Sequence, residues 1–62
     1  MSLITDPNLK YPDAFYAELL AAHRGLPLED SHRLNAQLVM ILANHVGDME
    51  ALREALSLAR RP

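Results

Sequence analysis

No cysteine occurs in this chain, which excludes disulfides and thiolate metal sites. Tryptophan is also absent, and the only aromatic residues are Tyr11, Phe15 and Tyr16. Charge of neither sign dominates. Six basic residues stand against eight acidic ones for a formal net charge of −2, and no run of like charge exists. That leaves no acidic tail and no basic arm, and it withholds the electrostatic footprint of a nucleic-acid binder. The apolar run Leu38 to Ala43 is far shorter than the roughly 20 residues that span a bilayer. The first residues also lack the basic-then-apolar layout of a secretory signal. The expectation is a soluble, cytoplasmic protein with no membrane or nucleic-acid partner.

What is present is aliphatic. Half of the 62 residues are hydrophobic, mostly Leu, Ala, Val and Ile, a composition that favours helices. A chain of this length makes one domain. It buries only about 60% of the surface its unfolded form exposes, so its stability is marginal. Small domains add to such a core with disulfides, metals or oligomerisation. Without cysteine, the remaining means are tight helix packing, a partner, or a histidine or carboxylate metal site.

The pattern predicts an all-α fold over residues 1–62, a small three-helix bundle with a non-helical N-terminal arm over 1–11. Asp6-Pro7 marks a turn, and Pro12 holds Tyr11 out of the helical region. The arm's Leu3, Ile4, Leu9 and Tyr11 are expected to pack on the helices of this chain or of a neighbour. Helix 1 is expected at about 12–23. Pro12 suits its first position, and Asp13 meets the positive end of its dipole. Phe15, Leu19 and Ala22 share one face, with Tyr16, Leu20 and His23 beside it. Gly25 is expected as a left-handed cap, and Pro27 prevents resumption. Helix 2 is expected at about 28–46. Leu34, Leu38, Ile41, Leu42 and His45 recur at core spacing. Helix 3 is expected at about 48–60, with Gly47 closing helix 2 and Asp48 capping the new helix. Short connections make such helices neighbours.

The Leu34–Val46 stretch has too much apolar surface for one side of a small domain to cover. A surface helix shows an apolar stripe a little over 100° wide, and here the apolar side chains span more than half the circumference. The row Leu34, Leu38, Ile41 and Leu42 is assigned to the chain's own core. The flank Val39, Ala43 and Val46 is assigned to an interface, together with Tyr16, Asn35 and His45. Asn35 lies inside the apolar arc, where an unpaired amide costs on the order of 1–3 kcal/mol. Two readings stay open for it. It bonds the backbone of the helix 1–2 loop, or it fixes register across a helix interface.

His23, His32 and His45 are the possible metal ligands. No pair has the i, i+4 spacing of a helical zinc motif. His23 and His45 fall within apolar faces and are the weak candidates for a metal site. A hydrogen-bonded core or interface histidine is the favoured role for both. The acidic pairs Glu29-Asp30 and Glu50/Glu54 read as helix-end and surface charges. Ser31 and Ser57 have no nucleophile-elbow context, and Gly25 and Gly47 form no phosphate loop. No cofactor and no catalysis by this chain alone are expected.

Asp13-Ala-Phe-Tyr16, Leu19-Leu-Ala-Ala-His23, Leu34-Asn-Ala36 and Leu42-Ala-Asn-His-Val-Gly-Asp48 together resemble the small bacterial family catalogued as domain of unknown function 2783. The last block is the most specific. Pro27 departs from the Ser-like N-cap expected before helix 2. The resemblance brings no catalytic residues. It implies an accessory partner of a flavin-dependent aromatic hydroxylase. Two roles remain: a helical module that binds another protein, or a self-contained homodimer burying the same face. A histidine metal site and DNA binding are weaker alternatives.

Overall fold

A computed structural model describes residues 2–62. It contains three helices: α1 Pro12–His23, α2 Leu28–Val46 and α3 Met49–Ala59. No strand occurs among the described residues, so the architecture is all-α as the periodicity predicts. Local chemistry accounts for each boundary.

Pro12 occupies the first turn of α1 and Asp13 its positive end, while the cap residue Tyr11 contributes no side-chain bond. At the other end, Arg24 is extended and Gly25 follows at φ +78°. The Leu26 amide donates to the His23 carbonyl at 3.1 Å. These angles and that bond make His23–Leu26 a type II turn, whose third position requires positive φ and so favours glycine. Gly25 therefore acts in the turn after α1, one residue beyond the cap itself. Pro27 then stands at the N-cap of α2 without a capping bond, and Ser31 N–H closes the first turn onto its carbonyl at 3.0 Å.

The α2–α3 junction matches expectation closely. Gly47 ends α2 in the left-handed region, with its amide on the Ala43 carbonyl at 2.9 Å. Asp48 Oδ1 accepts from the Glu50 and Ala51 amides at 2.9 and 3.3 Å. Two N–H groups that no helical carbonyl can reach are thereby satisfied. Asp48 and Arg60 are the caps of α3, so the helix is one residue shorter at each end than the sequence suggests.

The arm bends back onto α3. Leu3 N–H donates to Glu54 Oε2 at 3.0 Å, and Leu3 is half-buried there. Leu3 and Thr5 line a shallow depression with Leu58 and Ser57 of α3. Ile4, Leu9 and Tyr11 remain exposed.

What these helices enclose is small. Ala51, at 3% exposure, is the one buried residue among those described. Leu19, Leu34, Leu38, Ala43, Leu52 and Ala55 are half-buried. The radius of gyration is 13.2 Å, against about 10.5 Å for a compact domain of this length. The accessible surface is 5743 Å², whereas a compact monomer of this mass exposes about 4,000 Å².

One expectation fails here. Ile41 and Leu42, assigned to the core row with Leu34 and Leu38, are 65% and 49% exposed. Helix length supplies the reason. At 19 and 12 residues, α2 outruns α1 by about 10 Å. The groove that α1 forms with α2 is lined on the α2 side by Leu34 and Leu38, so the second half of α2 lacks that cover.

Candidate interaction surface

The site is built around the point where α1 is tied to α2. His23, in the last turn of α1, places Nδ1 2.8 Å from the Leu19 carbonyl and Nε2 2.8 Å from Asn35 Oδ1. The carbonyl only accepts, so Nδ1 carries a proton. In the imidazolium form Nε2–H then donates to Oδ1. In the neutral form Nε2 is an acceptor, and the Asn35 amide must present its NH₂ instead. A half-turn of the amide preserves the link in both states. Asn35 thus joins two helices side chain to side chain, rather than bonding the backbone of the loop. His23 has both ring nitrogens engaged, so ligation of a metal would require breaking one of these bonds. Among the described residues no three His, Cys, Asp or Glu side chains are grouped to hold a metal.

Beside this link lies an open groove of about 280 Å³, lined by Phe15, Glu18, Leu19 and Ala22 of α1 and Leu34 and Leu38 of α2. Glu18 is the one ionisable side chain among its lining residues. In the second half of α2, Ile41, Leu42 and Val46 are exposed apolar side chains. On α1, Tyr16 and Leu20 are exposed as well.

The residues singled out from sequence are distributed unequally. Tyr16, Val39 and Val46 are exposed apolar side chains, and His45 is exposed near the end of α2. Ala43, placed on the same flank, is already half-buried within the chain. Ile41, Leu42, Phe15 and Leu20 belong to the exposed apolar surface and were not singled out for an interface. Their helical phase marks them as apolar-face residues. Phase carries no information on which apolar face its own chain covers.

The described residues contain no helix long and apolar enough to cross a membrane. Fold and surface together define a small all-α protein with an incomplete core and a largely apolar exposed face. The chain belongs to the family described as Protein of unknown function (DUF2783), whose model matches residues 3–61. No curated protein and no solved structure matches it.

Proposed function

We propose that this protein is a non-catalytic helical interaction module, which completes its fold and acts by burying its apolar surface against another polypeptide chain. The observation that carries this reading is the excess of surface. The 5743 Å² exposed exceeds the value for a compact monomer by about 1,700 Å². Part of that excess is the exposed arm, and part is aliphatic: Val39, Met40, Ile41, Leu42 and Val46 of α2 are all exposed, and clustered exposed apolar side chains of this kind mark interaction sites. The groove supports the same conclusion: five apolar side chains and one carboxylate suit docking of a helix better than acid–base chemistry, which needs convergent polar groups.

Folding and association are then a single equilibrium. Far-UV circular dichroism should show helix content and melting temperature rising with protein concentration or on adding the partner. A cooperatively unfolding monomer, with a melting temperature independent of concentration, would refute the reading. The family resemblance adds a flavin-dependent aromatic hydroxylase as a partner in the cell. Purification from cells at native expression levels tests that addition, and recovery of the small chain without the hydroxylase removes it.

A further inference from the structure

We propose that His23 and Asn35 form a proton-coupled switch, in which a change in the charge of His23 turns the Asn35 amide over and inverts, between donor and acceptor, what that amide presents at the exposed edge of the α1–α2 junction. The inference does not rest on the interaction reading.

The fixed point is Nδ1. It lies 2.8 Å from the Leu19 carbonyl oxygen, which can only accept, so Nδ1 keeps its proton in both charge states. Nε2, 2.8 Å from Asn35 Oδ1, is therefore the nitrogen that gains and loses one. With His23 charged, Nε2–H donates to Oδ1, and the Asn35 NH₂ group is left on the outer side. With His23 neutral, Nε2 is an acceptor. An unturned amide would then hold two lone pairs against each other at 2.8 Å. Moving the ring proton to Nε2 offers no escape, because it sets Nδ1 against the Leu19 carbonyl in the same way. Half a revolution of the amide resolves the conflict. The Asn35 NH₂ group then donates to Nε2, and the amide oxygen takes the outer side.

Which group turns follows from burial. His23 is half-buried and held at both nitrogens, whereas Asn35 is exposed. Among the described residues no other bond ties the Asn35 amide, so its outer atom meets water in both states. No charged group shares the link either. Glu18 and Arg24 flank His23 along the chain, and Asp30, His32 and Arg33 precede Asn35. Asp30 pairs with Arg33 at 3.5 Å. Among the described residues, none of these and no side chain of α3 bonds to either partner. The edge thus offers donors when His23 is charged and an acceptor when it is neutral, and the helix-to-helix bond is kept throughout.

Nuclear magnetic resonance distinguishes the two bonds. An N–H···N hydrogen bond carries a scalar coupling between its two nitrogens, and an N–H···O bond has no second nitrogen to couple. The unaltered chain, labelled with ¹⁵N, is examined at a concentration where helix content no longer rises, above and below the midpoint of His23's own titration. A cross-peak between His23 Nε2 and Asn35 Nδ2 should be present above that midpoint and lost below it, with helix content unchanged. Its absence above the midpoint overturns the switch. A chain with no helix under these conditions has no link to turn and overturns it as well.

Thermal melts give a second readout. Asn35→Asp keeps an acceptor but cannot donate, so its link exists only while His23 is charged. In that variant the folded pKa of His23 is raised above the unfolded value. The stabilisation is then present below the unfolded pKa and lost as pH rises through the folded one. Relative to Asn35→Leu, the melting temperature of Asn35→Asp should fall over that window, and that of the unaltered chain should hold level. A parallel fall in the unaltered chain would mean an amide that does not turn, and would overturn the proposal.

Discussion

Ile41→Asp is the substitution that best separates an interface side chain from a core one. Ile41 is 65% exposed in the single chain, so the isolated helix loses little by the change. Ile and Asp differ by only a few tenths of a kcal/mol in helix propensity. In the associated state the exposed portion of Ile41 becomes buried. Full burial of such a side chain is worth roughly 1.5–3 kcal/mol, and the exposed share of it is about 1–2 kcal/mol. Counted once per chain, that loss weakens the dissociation constant roughly 5- to 30-fold. Placing an unpaired carboxylate there adds to that floor. Sedimentation equilibrium across a concentration series reads the change, and circular dichroism reads the helices. The expected signature is a loss of helix at low concentration that is recovered by raising the concentration. An unchanged dissociation constant would show that the second half of α2 lies outside the interface. A loss of helix that no concentration restores would place Ile41 in the core of the single chain.

Asp48→Ala removes the acceptor of two amides and should cost about 1 kcal/mol, with Asp48→Asn close to neutral; thermal melts at fixed concentration check both. Gly47→Ala forces a residue with a side chain to φ +66°. Space is not the obstacle, since the nearest atom to the added Cβ is the Asn44 carbonyl oxygen at 3.7 Å. The backbone strain should still cost on the order of 1 kcal/mol, and an unchanged melting temperature would contradict it. Asn35→Ala breaks the link to His23 and should cost about 0.5–1.5 kcal/mol. In the neutral form His23 should be the Nδ1–H tautomer, because that proton is held on the Leu19 carbonyl; ring nitrogen chemical shifts showing the Nε2–H tautomer would refute the assignment.

Much of the local structure was legible because single residues dictate it. Pro12 starts α1, Gly47 and Asp48 together end one helix and begin the next, and Gly25 adopts the positive φ that its neighbours cannot. The extent of the core was not legible in the same way. Leu38 and Ile41 lie on the same apolar arc of α2, yet one borders a groove and the other is open to solvent. The difference is set by where the shorter α1 meets α2, a tertiary fact that α2's own periodicity does not encode. The His23–Asn35 bond is a similar case. Each residue stood out as polar within an apolar face, but their pairing spans twelve positions and required the turn between them. The apolar residues of the arm signalled that it packs on a helix, and Leu3 does so, whereas Ile4, Leu9 and Tyr11 stay exposed; nothing in the sequence named Glu54 as the acceptor for the Leu3 amide.

A core this small also bears on what the protein does when dilute. Ala51 alone is fully withdrawn from water among the described residues, whereas ordering each residue of a chain costs roughly 1–2 kcal/mol in backbone entropy. Helices of 11 to 19 residues are marginal in isolation, because nucleation is unfavourable and most helical stability in proteins comes from tertiary packing. The caps at Gly47 and Asp48 set where helices begin and end, but contributions of about 1 kcal/mol each cannot replace a core. On the proposed interaction reading the missing burial comes from outside the single chain, and concentration, or the abundance of a partner, then governs how much of this protein is folded. Substitutions at Ile41, Leu42 or Val46 should then lower stability and association together, in constant proportion, across a graded series from Ala to Asp. A series in which association fell while single-chain stability held would mean that the helices possess a core of their own, and the coupling argued from the exposed surface would be wrong.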